Sequence, residues 1–123
     1  MPLETDILVI GSGIAGLSFA LRASSFARVL VATKKELIEA ATNYAQGGLA
    51  AALAASDSAQ AHVRDTLLAG DGLCDERVAR RIVSDAPGFV RELEAWGARF
   101  TRAKAGVFDL GLEGGHSARL IVH

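Results

Sequence analysis

The chain reads as an α/β protein with a Rossmann-like start. Three observations carry that reading. An apolar run, Ile7-Leu8-Val9-Ile10, leads straight into Gly11-Ser12-Gly13-Ile14-Ala15-Gly16; apolar residues then recur at helical spacing; a second apolar run follows. Asp6 to Ile10 predicts a strand, apolar enough for a central parallel strand covered on both faces. Ile14 to about Ser24 predicts a helix, with Leu17, Ala20 and Leu21 toward the sheet. Ala27 to Thr33 predicts the second strand. Together they form a βαβ unit of about thirty residues, with a right-handed crossover expected.

The glycines explain the junction between the first strand and the helix. Gly11 permits a tight turn, Gly13 lets backbone approach a pyrophosphate, and Gly16 lets helix and strand pack closely. Phosphates would face the helix N-terminus, where several N–H groups lack partners. The alternative is a glycine-rich turn in an ordinary α/β core. An acid expected about twenty residues on, to hold a ribose hydroxyl, is missing. Thr33-Lys34-Lys35 stands there, and Glu36 comes late. A lysine would meet a phosphate or ribose oxygen instead, or be simply solvated.

The remaining elements follow local signals. Lys34 to Asn43 is a polar connection. Ala45 to Ala55 is small and apolar, and Gly47-Gly48 should break any regular element there. Ser56-Asp57-Ser58 offers caps for a helix running to about Ala69 and ending at Gly70. Asp75 caps a helix through about Val83. Pro87 suits a first turn and not an interior, so Ser84-Asp85 reads as the start of another helix. That helix would place Phe89, Val90, Leu93 and Trp96 on one face and end at Gly97. Phe100 to Leu110 is extended or a hairpin, residues 111–118 are glycine-rich, and Leu120-Ile121-Val122 opens a further element.

Bulk properties narrow the classes. The 123 residues suffice for one modest domain. Half are hydrophobic and mean hydropathy is +0.29, so a core can form. With a net charge of −1 and no basic patch, nothing points to nucleic acid. No run reaches the ~18 apolar residues of a membrane span. The acidic N-terminus does not read as a signal peptide, and one cysteine, Cys74, fits a reducing compartment; both predict a cytoplasmic protein. The last residues, apolar up to His123, predict the N-terminal part of a longer protein, with a compact small domain as the alternative.

Two other clusters hold chemistry-bearing residues. In Ala41-Thr42-Asn43-Tyr44-Ala45-Gln46-Gly47-Gly48, small residues around a glycine pair let backbone lie against a flat ligand, and Thr42 and Gln46 can hydrogen-bond heteroatoms. The plain alternative is a flexible loop. In Glu113-Gly114-Gly115-His116-Ser117, a carboxylate and an imidazole on a glycine hinge suit acid–base work or a cation, or are just a loop. No metal site is expected. His62, amid polar residues, reads as surface, or as touching a site only through another residue. Cys74 reads as a packed small residue rather than a nucleophile. Arg77, Arg80, Arg81 and Arg91 read as a solvated face.

In this order, with His62-Val63-Arg64-Asp65-Thr66-Leu67-Leu68-Ala69-Gly70-Asp71-Gly72-Leu73-Cys74-Asp75 between the second and third clusters, the sequence resembles the L-aspartate oxidase branch of the succinate dehydrogenase and fumarate reductase flavoprotein family. The resemblance spans essentially the whole chain. It implies that residues 1–123 are the N-terminal part of an FAD-binding domain within a larger FAD/NAD(P)-binding fold. The rest of that domain, a capping domain and a C-terminal helical domain would lie beyond it.

Ser12 to Ala15, within the Gly11–Gly16 loop, would hold the FAD pyrophosphate. Lys34 matches a family FAD contact, and residues 41–48 would run beside the isoalloxazine ring. Ala41 stands where membrane-bound relatives carry the histidine that attaches flavin, so FAD would be held non-covalently. The oxidase branch commonly has serine there, so alanine is a small departure. Glu113 stands where the dicarboxylate enzymes are apolar and would favour the ammonium of L-aspartate over succinate. His116 is the second catalytic candidate.

The implied reaction is hydride transfer from the aspartate Cα to flavin, giving iminoaspartate, with electrons passing to oxygen (as hydrogen peroxide) or fumarate. The product would go to quinolinate synthase, on the route to NAD. The family's substrate-carboxylate arginine lies downstream of residue 123, so the segment alone would be inactive. The competing readings are a soluble fumarate reductase or succinate dehydrogenase-type flavoprotein, and a non-catalytic dinucleotide-binding module.

Overall fold

The structure, a computed structural model, describes residues 2–45, 47–54 and 57–123. The chain divides into two compact units, residues 1–46 and 47–123.

The first unit is the βαβ start. Strand β1 (Ile7–Ile10) pairs in parallel with β2 (Val29–Ala32), in register from Ile7 opposite Val29 to Ile10 opposite Ala32. The register is pinned just before the strands. Asp6 Oδ2 accepts from the Arg28 backbone N–H (2.9 Å) and Nε (3.1 Å), and Oδ1 accepts from Nη2 (2.9 Å). These bonds hold the Asp6 carboxyl below its usual range. Helix α1 (Ile14–Ala23) connects the strands and buries Ser18, Ala20 and Ala23. Leu21, expected toward the sheet, is 52 % exposed. The small residues make the close contact, and the leucine one position on turns away.

Within this segment one face of β1 is covered and the other is open. Val9 is buried, whereas Leu8 and Ile10 are 54 % and 83 % exposed. Strand side chains alternate between faces, and α1 packs on the pair.

The second unit is helical with a small antiparallel sheet. Helix α2 (Ala59–Ala69) begins as expected, with Ser58 Oγ accepting from the Ala61 N–H (3.0 Å), and ends at Gly70. Ser56, a further candidate cap, lies outside the described residues. Asp75 Oδ1 accepts from the Val78 N–H (3.1 Å) and opens α3 (Glu76–Ala95).

The expected restart at Pro87 does not occur: α3 is one helix of 20 residues with Pro87 inside it. Proline forfeits one i→i−4 bond and strains the preceding turn, at about 3 kcal/mol. The cost is met because one face buries Ala79, Val83 and Val90 continuously on either side of it. Fully burying a residue such as Val90 is worth about 1.5–3 kcal/mol. Gly97 (φ +102°) ends the helix, with its N–H donating to Glu94 and that of Ala98 to Leu93. Arg80 pairs with Glu76 and Arg81 with Asp85 on the exposed face.

The antiparallel sheet was not foreseen. β5 (Ile121–Val122) lies between β3 (Leu49–Ala50) and β4 (Leu110–Gly111). The glycine pair interrupts regular structure as expected, and a short strand starts directly after it. A Cβ on Gly48 would collide with the Val122 carbonyl oxygen, so glycine is what lets the segment approach β5. The predicted hairpin is present, with Arg102 bridging Phe108 around a 3-10 turn at Lys104–Gly106. The core centres on Ala51, Val90 and Val122, with Leu49, Phe100 and Phe108 packed around it.

Candidate functional site

The glycine loop of the first unit has the expected conformation. Gly11 takes φ +106°, closed to most L-residues, and its N–H donates to the Ala32 carbonyl (2.8 Å). A Cβ on Gly16 would sit 2.5 Å from the Gly11 carbonyl oxygen and 3.3 Å from Val9 Cγ1. The third glycine thus sets the approach of helix to strand. Gly13 is the N-cap, in extended conformation; it has no side chain with which to cap the helix, and no acid stands in the first turn. Ser12 is buried and Ala15 exposed. The positive end of α1 is left open to an anion.

A cleft of about 330 Å³ opens at this end of the helix. Gly11, Ser12, Gly13, Thr33, Lys34 and Ala41 line it. The lysine at the end of β2 therefore shares a cleft with the glycine loop. Lys35 also lines it and pairs with Glu39 (3.1 Å). Glu36, the late acid, is not among the lining residues.

Thr42 Oγ1 accepts from the Ile14 N–H (3.1 Å), tying the 41–45 segment to the first turn of α1. Asn43, Tyr44 and Ala45 form turns that donate to the Ala40, Ala41 and Thr42 carbonyls, and Tyr44 is exposed. The 41–48 segment divides between the units: Ala41 to Ala45 belong to the first, Gly47 and Gly48 to the second. Gln46 lies outside the described residues.

The Glu113–Ser117 segment of the second unit is a turn, with the His116 N–H donating to the Glu113 carbonyl (3.3 Å) and Gly115 at φ +89°. The Glu113 side chain is exposed. The half-buried His116 ring meets the His62 ring edge to face, centroids 5.3 Å apart.

His62 is not a surface residue: it is 5 % exposed, and its Nδ1, like that of His116, is buried without a partner among the described residues. Burial, reinforced by His116, holds the His62 imidazole below its usual range, against the pull of Asp57 and Asp65. Sequence reasoning missed Asp65. Its Oδ2 accepts both the Ser117 N–H (2.7 Å) and the Ser117 Oγ–H (2.6 Å), which keeps its carboxyl below the usual range. The available signal was the spacing of His62 and Asp65, one turn apart on the same helix face. Cys74, expected to be packed, is exposed, with its thiol 3.7 Å from the Thr66 carbonyl oxygen.

Among the described residues no group of three or more His, Cys, Asp or Glu side chains could hold a metal ion. Among the described residues no helix is long and apolar enough to cross a membrane.

The family model for an FAD binding domain matches residues 6–123. This chain belongs to the FAD binding domain family. FAD is the cofactor of that family, and this FAD binding domain fits a dinucleotide in its open helix end, its left-handed glycine turn and a lysine in the same cleft.

The FAD binding domain is 48 % identical over 118 residues to the chloroplastic L-aspartate oxidase of Oryza sativa subsp. japonica, covering 96 % of this chain and 18 % of that protein. It is 46 % identical over 122 residues to the L-aspartate oxidase of Streptomyces coelicolor, covering 98 % and 21 %. Among solved structures, the apo Sdh1 complex of Mycobacterium smegmatis matches with a TM-score of 0.90 and 39 % identity, over 97 % of this chain and 21 % of that one. A variant of E. coli quinol fumarate reductase FrdA matches at 0.90 and 29 %, over 98 % and 21 %. The chain spans about a fifth of the length of the relatives it matches.

Proposed function

We propose that the full-length protein is an FAD-dependent L-aspartate oxidase, with residues 1–123 as the N-terminal part of its FAD-binding domain. The observation that carries this reading is the 46–48 % identity to L-aspartate oxidases of a plant and a bacterium over nearly the whole chain. Bound FAD would supply the hydride acceptor that turns aspartate into iminoaspartate and would pass the electrons to oxygen or fumarate.

The chain's own residues hold and orient. The first-turn N–H groups of α1 beyond Ile14 and the Lys34 ammonium would neutralise the pyrophosphate. Thr42, by holding the Ile14 N–H, would fix the Ala41–Ala45 segment beside the loop. Gln46, Gly47 and Gly48 would continue that segment along the cofactor. Ala41 has no nucleophile, so FAD would be bound without a covalent link. Glu113 would meet the substrate ammonium, and His116 would stand beside it as acid, base or anchor. The lone cysteine supports a cytoplasmic protein, and an imine product calls for a consuming enzyme such as quinolinate synthase, on the route to NAD.

A succinate dehydrogenase or fumarate reductase-type activity is the second reading, favoured by the two structural likenesses. Ala41 and Glu113 weigh against it. The deciding experiment is anaerobic mixing of the full-length, FAD-loaded protein with L-aspartate or succinate. Bleaching of the flavin absorbance by aspartate alone is expected. Bleaching by succinate would establish the second reading, and bleaching by neither would leave a non-catalytic binding module.

A further inference from the structure

The Glu113–His116 turn cannot hold its own shape. Its centre is two glycines, Gly114 has no neighbour within 4 Å of where a Cβ would stand, and the one hydrogen bond across it is long at 3.3 Å. Glycine pays the largest conformational entropy of any residue on being fixed, so the turn needs outside anchors. They come from one face of α2. Asp65 commits a single carboxylate oxygen to both donors of Ser117. One turn earlier, the buried His62 ring stands edge-on against His116. At the end of the helix, a Cβ on Gly115 would lie 3.6 Å from Ala69 Cβ. The clamp and the ring contact fix the turn on its C-terminal side, leaving the exposed Glu113 carboxylate at the free end of a located loop.

We propose that Asp65 is a positioning residue for substrate selectivity: by clamping Ser117 it sets where Glu113 stands, and so how well the site distinguishes an amino-bearing dicarboxylate from its deaminated analogue. This rests on the reading of Glu113 as the ammonium contact. Asp65 touches neither substrate nor cofactor in this scheme. It acts through the turn, and a hydrogen bond stretched by about 1 Å from its usual length is no longer one. An ammonium contact made equally in ground and transition states raises affinity without changing turnover, so the effect falls on KM.

The test uses the full-length, FAD-loaded protein and its Asp65→Asn, Ser117→Ala and Ser117→Thr variants. The readouts are KM and kcat for L-aspartate, the inhibition constant of succinate, and the FAD affinity. Expected are an aspartate KM raised tenfold or more in Asp65→Asn and three- to tenfold in Ser117→Ala, with kcat, succinate inhibition and FAD affinity each within twofold. Ser117→Thr, which keeps the hydroxyl donor, should recover most of what alanine loses. A general loosening of the fold would weaken succinate and FAD binding as well. Should Asp65→Asn not fold, the exposed Ser117 variants carry the test. Unchanged aspartate KM in Ser117→Ala, or parallel losses for aspartate and succinate, would overturn the proposal while leaving the oxidase reading intact. A wild-type protein that aspartate fails to reduce would overturn both.

Discussion

Replacing Gly16 by alanine separates two effects that usually travel together. Alanine is the better helix former by about 1 kcal/mol in a helix interior, so propensity alone predicts a gain. Packing predicts the reverse. The new methyl would lie 2.5 Å from the Gly11 carbonyl oxygen, and Cβ atoms essentially never come within 3.0 Å of such a neighbour, so something must move by at least 0.5 Å. The atom in the way is backbone and cannot rotate aside. It belongs to a residue already at φ +106°, and Val9 Cγ1, 3.3 Å away, blocks the other escape. Overpacking of this kind costs about 1–3 kcal/mol, toward the upper end where backbone must shift.

The net expectation for Gly16→Ala is a loss of about 1–2 kcal/mol, with weaker FAD binding because the displaced carbonyl lies in the glycine turn. Gly88→Ala is the control. Gly88 also sits inside a helix, α3, but nothing lies within 4 Å of its Cβ position. It should show the propensity gain alone, about 0.5–1 kcal/mol. Urea unfolding of the full-length protein with saturating FAD and without it, together with an FAD titration, gives both quantities. If Gly16→Ala stabilises as much as Gly88→Ala and binds FAD normally, the packing argument is wrong.

Lys34→Ala should weaken FAD binding about tenfold or more, the worth of a lost charge-assisted hydrogen bond, and Lys34→Arg should restore part of it; flavin fluorescence titration measures this. Glu113→Gln should raise the aspartate KM, or lower kcat, and leave succinate inhibition unchanged; identical aspartate kinetics would remove Glu113 from the site. Acid should destabilise the second unit through two groups. His62 is held below its usual value by burial first, so the unfolded chain takes up a proton near pH 6.5 while the folded chain resists; that stability is complete above about pH 6.5 and is lost as pH falls through the lowered value. Asp65, lowered by Ser117, adds the same sign further down, from about pH 3.9. Denaturant midpoints from about pH 7.5 to pH 5 should fall less in His62→Phe than in wild type, and equal slopes would dismiss His62 as the origin.

The legible parts of the fold were those specified by neighbours in sequence. The strand–glycine–helix junction, the Ser58 and Asp75 caps, the Gly70 and Gly97 ends and the hairpin before β4 each depend on contacts a few residues apart. The misread parts depend on distant partners. β3 and β5 are two residues each, too short to carry a pattern, and exist because Leu49 meets Val122 across most of the second unit. Pro87 was given the local meaning of a helix start, and the continuous buried face of α3 overrode it. His62 looked solvated because its neighbours on the chain are polar, yet its cover comes from a turn near residue 116. The site divides in the same way. The glycine loop was readable from spacing, which called for an acid where Lys34 stands, whereas the Asp65 clamp spans 52 residues and only the one-turn spacing of His62 and Asp65 hinted at it.

The tight approach of Gly48 to Val122 bears on how this stretch of letters should be interpreted in other genomes. A glycine demanded by the architecture persists wherever the architecture does, whether or not any reaction is performed. Retention of the second member of the pair is therefore a marker of ancestry and shape. A degenerate homologue that had lost its chemistry would keep it, and would part first with Glu113 or Lys34, both of them exposed.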